Sequence, residues 1–175
     1  MHLTLNKKMQ PILIFSVILS MASLCWAMEQ DSRTPLRINA NSYTLHNKEG
    51  ITIYEGHVLV KQGTTTLLAD QLVTQNNTHH QIEKAIAYGT TRLAEYSTIP
   101  KAGDPVLHAK AKIIKLLLSE STVILEGNVM ITQGNNSFHG PVIMYNMKTQ
   151  VVTVPPSKAG NATILIDPKQ ISLSQ

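Results

Sequence analysis

From Leu36 onward, apolar and polar residues alternate in short runs, and Gly, Asn or Pro interrupts the alternation every 8–14 residues. A two-residue period broken by turn-forming residues is the pattern of β-strands. It predicts strands over Leu36–Leu45, Ile51–Lys61, Thr66–Thr74, Gln81–Ala87, Thr91–Tyr96, Val106–Leu117, Thr122–Thr132, Ser137–Tyr145, Val151–Val154 and Thr163–Ile166. Asn47-Lys48-Glu49-Gly50, Gln62-Gly63, Asn76-Asn77-Thr78, Gln133-Gly134-Asn135-Asn136 and Pro155-Pro156 punctuate them. One stretch carries two patterns. In His108–Leu118, Ala109, Ile113 and Leu116 share a helical face, yet Leu107, Ala109, Ala111 and Ile113 alternate equally well. With strands all around it, this stretch is read as a strand.

The alternation recurs at a fixed offset. Ile53-Tyr54-Glu55-Gly56-His57-Val58-Leu59-Val60-Lys61-Gln62-Gly63 superposes on Ile124-Leu125-Glu126-Gly127-Asn128-Val129-Met130-Ile131-Thr132-Gln133-Gly134, 71 positions later, with six of eleven pairs identical. The unit is a strand, an acidic-Gly break, a second apolar stretch and a Gly turn. Gly56 and Gly127 fit a β-bulge or a hairpin turn equally well, and both give an antiparallel meander. A shorter theme recurs in Leu68-Ala69-Asp70, His108-Ala109-Lys110 and His139-Gly140-Pro141-Val142. Repeated β-units cannot bury their apolar face alone and stack on neighbours.

Residues 1–27 read as a secretory signal: Lys7 and Lys8, an apolar run from Ile12 to Leu24, and the exit Cys25-Trp26-Ala27. A membrane anchor, which needs about 20 apolar residues, is the weaker reading. Cutting after Ala27 leaves one domain, residues 28–175, and removes the one cysteine, so no disulfide can staple it. Residues 28–35 and 155–162 read as flexible ends. The sequons at Asn76, Asn135 and Asn161 are what chance gives in a chain this rich in Asn and Thr.

The duplicated Glu-Gly-(His/Asn)-Val-x-(Val/Ile)-x-Gln-Gly signature, the segment Pro35-Leu36-Arg37-Ile38-Asn39-Ala40 after the leader, and Ile86-Ala87-Tyr88-Gly89 between the copies carry a resemblance. Together they resemble the OstA-like lipopolysaccharide-export family over roughly residues 34–154. The resemblance implies an all-β fold, an antiparallel β-jellyroll of two sheets in an open V. It implies a soluble periplasmic protein whose apolar trough carries the acyl chains of lipopolysaccharide (its lipid A moiety). Its partners would be the inner-membrane-anchored and outer-membrane components of the transport machinery, and further copies joined head to tail by strand addition. Pro155-Pro156 and Pro168 depart from a regular C-terminal strand pattern.

Composition narrows the chemistry. The net charge of +4 includes Lys7 and Lys8 of the leader, too little for the basic stripe of a nucleic-acid binder. Aromatic residues make up 5%, which disfavours sugar- or base-stacking platforms. No nucleophile elbow, His-Glu-x-x-His or phosphate loop occurs, so neither enzyme activity nor a cofactor is expected. His79-His80 read as a solvated turn rather than metal ligands. Glu55 and Glu126 are equivalent by the repeat and read as two solvent-facing bulge positions, not an acid–base pair.

The alternation itself offers a site. Leu36, Ile38, Ile53, Val58, Val60, Leu68, Leu72, Ile114, Leu116, Ile124, Val129, Ile131 and Ile143, together with Ile51, are assigned to the inner phase of the strands. From periodicity alone this stripe reads as a filled sandwich core; with the resemblance it reads as a lipid trough. The second site is the strand edges: Leu36, Arg37, Ile38 and Asn39 at one end, Thr163, Ile164, Leu165 and Ile166 at the other. An open edge is an aggregation hazard unless a partner strand completes it.

Overall fold

The computed structural model describes residues 34–100, 102–146, 148–149 and 151–167; the signal segment lies outside them. They form twelve antiparallel strands: β1 Arg37–Asn39, β2 Ser42–His46, β3 Ile51–Gln62, β4 Thr65–Asn76, β5 Ile82–Tyr88, β6 Ala94–Thr98, β7 Leu107–Ala111, β8 Ile113–Leu117, β9 Thr122–Gln133, β10 Asn136–Asn146, β11 Val151–Thr153 and β12 Thr163–Leu165. There is no helix among the described residues, and the ambiguous stretch after Val106 is β.

Two predicted strands are each two. Leu36–Leu45 splits into β1 and β2 around Asn41, and Val106–Leu117 splits into β7 and β8 at Lys112. Both splits answer a bulge on the neighbouring strand. Between Glu55 and Val58 the β3–β4 register slips, so Gly56 and His57 together oppose Asp70. Between Glu126 and Val129 of β9, Gly127 and Asn128 oppose Pro141 of β10. The two glycines are therefore bulges, not turns. All four bulge residues are left-handed: Gly56 at φ 76°, His57 at 49°, Gly127 at 77° and Asn128 at 53°. Gly takes that conformation freely, and Asn and His are among the side chains that tolerate it. Pro141 is harmless where it stands, because the residue facing a bulge leaves the hydrogen-bond ladder. Asn41 N–H donates to the carbonyls of Glu55 and Gly56 at 3.0 and 2.9 Å, and Lys112 N–H donates to Gly127 O at 2.8 Å.

Asn41 and Lys112 are themselves 71 positions apart. The repeat is thus longer than its conserved signature: β2 maps onto β8 and β3 onto β9 residue for residue. The bulges and splits line up as a fold line across the sheet. On one side lie β1, β6, β7, β12 and one half of each long strand; on the other lie β2, β5, β8, β11 and the remaining halves. Small side chains border the fold line on its inner surface: Val58, Ala69, Ala94, Ala111 and Val129, all fully buried. Their size lets the two half-sheets approach and face each other.

In the first unit the fold line is clamped. The Asp70 carboxylate, directly across from the bulge, accepts from the backbone N–H groups of Thr90 and Thr91 at 2.7 and 2.6 Å and from both hydroxyls at 3.0 and 2.9 Å. Arg92 Nε lies 3.7 Å from its other oxygen. The Thr91 N–H is the main force holding this carboxyl far below the ordinary carboxylate range, with the hydroxyls of Thr91 and Thr90 and the Thr90 N–H adding to it against partial desolvation. The β5–β6 connection is thereby tied to β4. The position 71 residues later is Pro141, which can make no such clamp.

Candidate functional site

Inward side chains form rows running perpendicular to the strands. On one half-sheet, adjacent partners give Ile38, Val60, Leu67, Tyr96, Ala109, Ile131, Phe138 and Ile164. On the other they give Tyr43, Tyr54, Leu72, Ala87, Ile114, Leu125 and Ile143, and beside it Leu45, Thr52, Thr74, Ala85, Leu116, Val123, Tyr145 and Val152. Members of all three rows line one cavity of about 400 Å³ between the half-sheets. No charged side chain lines it, and Gln62, Thr65 and Thr74 bring polar groups to it. The interior is an apolar trough rather than a uniformly filled core.

Of the residues assigned to the inner phase, Leu36, Ile38, Val60, Leu72, Ile114, Leu116, Ile131 and Ile143 line the trough. Val58 and Val129 are buried beside the fold line. Ile53, Leu68 and Ile124 are corrections, and Ile51 goes with them: they lie on the outer face. Their ladder partners place them there, since Ile53 faces Thr44 and Val73, Leu68 faces Leu59 and Glu95, and Ile124 faces Lys115 and Met144. The cause is the bulge. The bulged strand holds two residues where its partner holds one, so alternation continues unbroken through Thr52, Tyr54, Val58 and Val60 of β3 and through Val123, Leu125, Val129 and Ile131 of β9. The partner strand slips phase instead: β4 faces inward at Leu67 and Ala69, then at Leu72 and Thr74. Allowing the phase to flip at the glycines exchanges the faces of Ile53 and Ile124. The lining residues missed in the sequence include Leu67, Ala85, Ala87, Tyr96, Leu107, Ala109, Val123, Leu125 and Tyr145.

The two glutamates are on the outer face. Glu55 accepts from Gln71 Nε2 at 3.2 Å, and Glu126 is ion-paired with Lys115 at 2.7 Å. His79 sits in a turn whose Asn77 Oδ1 accepts from His79 N–H and Gln81 N–H. Among the described residues no three His, Cys, Asp or Glu side chains converge as metal ligands.

Both ends of the inward rows reach strands with one free side. Among the described residues, β1 and β2 pair with β3 alone, and β11 and β12 with β10 alone. Arg37, Ile38 and Asn39 make up β1, with Leu36 just before it; Thr163, Ile164 and Leu165 make up β12, with Ile166 just after. Large apolar side chains are exposed at both ends: Leu36, Tyr43 and Leu45 at one, Val151, Ile164 and Leu165 at the other. The edge residues assigned from the sequence lie on or beside β1 and β12, and the predicted edge strand Leu36–Leu45 also spans most of β2; β11 is an edge that the sequence did not single out.

An open β-jellyroll with an apolar interior and unpaired ends is the class of protein this fold defines. Residues 37–151 match the family described as LptA/(LptD N-terminal domain) LPS transport protein, and the chain belongs to that family. It is 29% identical over 152 residues to the lipopolysaccharide export system protein LptH of Pseudomonas aeruginosa, covering 86% of this chain and 83% of that one. It is 25% identical over 166 residues to the lipopolysaccharide export system protein LptA of Escherichia coli K12, covering 95% and 89%. The crystal structure of LptH, described as the LptA homologous periplasmic component of the lipopolysaccharide transport device of P. aeruginosa, superposes with a TM-score of 0.68 at 25% identity, over 79% of this chain and 99% of that one.

Proposed function

We propose that this chain is a periplasmic bridge protein that carries lipopolysaccharide by the acyl chains of its lipid A moiety, between inner- and outer-membrane parts of a transport assembly, without a catalytic step. The observation that carries the reading is the set of apolar rows that run the length of the molecule and end on unpaired strands. Exposing a methylene costs about 0.8 kcal/mol. A chain of about a dozen carbons therefore costs roughly 10 kcal/mol in water, and an aliphatic trough removes that barrier. A lining without charge covers tails while offering no deep polar trap. The test is mass spectrometry of lipid that co-purifies with the protein. Lipid A species bound in the trough support the reading, and a lipid-free protein that takes up no added lipopolysaccharide contradicts it. Residues 1–27 act in this reading as a cleaved leader. Intact mass beginning at Met28 supports that, whereas a full-length chain in the inner-membrane fraction points to the anchored partner of the same pathway.

Copies join head to tail in this proposal, and the molecule contains its own template for the junction. Inside the chain β6 pairs with β7 and β5 with β8. By the repeat, β12 and β11 stand where β6 and β5 do, while β1 and β2 stand where β7 and β8 do. Copying the internal seam places Leu165, Ile164 and Thr163 opposite Arg37, Ile38 and Asn39 of the next copy, and Val152 opposite Leu45. Such a heterologous contact builds open rods. Sedimentation velocity over a concentration series is expected to show mass growing past a dimer; growth that stops at a two-fold dimer contradicts the junction.

A further inference from the structure

The internal seam and the junction copied from it differ in the size of the side chains they turn inward. At the seam, Ala87 of β5 faces Ile114 of β8, and Ile114 is followed inward by Leu125 of β9. Continuing the β10–β11 register by one residue gives Val154 the place of Ala87. The 71-residue offset gives Tyr43 the place of Ile114 and Tyr54 the place of Leu125. Ala85 is likewise replaced by Val152. Every one of these exchanges adds atoms or a ring to the trough wall.

The tyrosines sit where such bulk would matter. Tyr43 and Tyr54 are cross-strand partners in the same inward row as Leu72. Their ring centroids are 6.3 Å apart at 37°, and both line the hollow at the β1–β2 end beside Ile38 and Leu45. Tyr43 is 70% exposed, on β2, which among the described residues pairs with no strand on the side where a preceding copy would dock.

We propose that Tyr43 and Tyr54, with Val152 and Val154 of the preceding copy, form a constriction at every junction and divide the assembled trough into one lipid site per copy. This rests on the end-to-end reading above. Lipid then advances in steps, pausing in the wider space around Ala85, Ala87 and Ala109 and passing a junction when the ring of Tyr43 turns aside. The two tyrosines are positioning residues: they set where a tail stops, not whether it is held.

The test follows labelled lipopolysaccharide from loaded, tagged copies to empty copies of the same variant, alongside its loss to buffer. Tyr43→Ala is expected to raise copy-to-copy transfer several-fold relative to loss into buffer, and Tyr43→Trp to lower it. Val154→Ala opens the gap from the other side and is expected to raise transfer without altering either ring. Native mass spectrometry is expected to give one lipid per wild-type copy. Transfer that slows or stays constant in both alanine variants, or occupancy that does not scale with copies, overturns the constriction. Wild-type protein that binds lipid but never assembles overturns the end-to-end reading instead, and with it the junction.

Discussion

The seam in the middle of the molecule and the edges at its ends are built to one plan and finished differently. At the seam, β5 and β6 are covered on both sides, an ion pair joins Glu95 to Lys110 across β6–β7 at 3.0 Å, and Asp70 clamps the connection between the two strands. At the C-terminal end the equivalent strands have three residues each, Pro141 replaces Asp70, and the connection runs through Pro155-Pro156. Stacked repeats ordinarily end in a polar cap. Here Tyr43, Leu45, Ile164 and Leu165 are left in water. The difference is one of finish: the ends keep the plan of the seam but leave one side of each outer strand unpaired among the described residues.

The largest effect expected from that contrast comes from a single charge placed at two depths. Ile143 is 1% exposed and Ile164 is 59% exposed. Ile143→Asp buries an unpaired carboxylate and is expected to cost roughly 4 kcal/mol, enough to unfold much of the population. Ile164→Asp is expected to change stability by about 0.5 kcal/mol or less while stopping rod growth. Urea unfolding and sedimentation velocity read the two halves of this comparison separately. An Ile164→Asp variant that unfolds, or one that still forms rods, would remove the distinction.

A smaller effect separates the two bulges. A Cβ added at Gly56 would lie 2.5 Å from Asn41 Nδ2, and one at Gly127 would lie 3.0 Å from the Lys112 Cβ. Both also force a β-carbon into the left-handed region, and each is expected to cost about 1–3 kcal/mol. The consequences differ by place. Gly127→Ala is expected to lower global stability, because β7 and β8 are interior. Gly56→Ala is expected to loosen β1 and β2 first, seen as faster amide exchange at residues 37–46 with a smaller change in the unfolding midpoint.

These glycines also mark how far the sequence could be read. The 71-residue repeat, the strands and the mostly apolar inner stripe were visible because alternation and turn residues are local signals. The outward placement of Leu68 was not, because a bulge shifts the phase of the strand opposite it, and that partner is known only once the ladder is. Ile53 and Ile124 were misplaced because their bulged strands keep the alternation through Gly56 and Gly127, where the inner phase had been allowed to flip. The splits at Asn41 and Lys112 stand at the same repeat offset, but over residues 37–46 and 108–117 only Ala40/Ala111 and Leu45/Leu116 are identical, so the superposition gave little sign of them. Ala85, Ala87 and Ala109 were passed over because a small residue says little about which face it takes. In the trough it is their smallness that leaves room.

The Asp70 clamp gives a pH-dependent version of the same contrast. Its carboxyl has a lowered pKa in the folded protein and an ordinary value of 3.8 when unfolded. The stabilisation is therefore full above about pH 4 and is lost as pH falls from there towards the folded value. Asp70→Asn keeps the shape and one acceptor but loses the charge. Its melting temperature is expected to fall below that of the wild type at neutral pH, with the gap closing below about pH 4. A gap that is constant across that range would mean the charge contributes nothing to the clamp.

The smallest effect concerns salt. Glu95 and Lys110 are each 41% exposed, so solvent screens the pair and its contribution is expected to be about 0.2–1 kcal/mol. Lys110→Gln should lower stability by that much in dilute buffer and by less in about 1 M salt, where the screening length falls to roughly 3 Å. The copied junction holds no counterpart: the positions equivalent to Glu95 and Lys110 are Thr163 and Asn39, and Arg37 meets Leu165. Assembly should therefore survive high salt, and strengthen where the added salt is sulfate, which favours burial of apolar surface. Rods that dissolve as sodium chloride rises would show that charges outside this register hold the copies together, and the internal seam would cease to be the template for the junction.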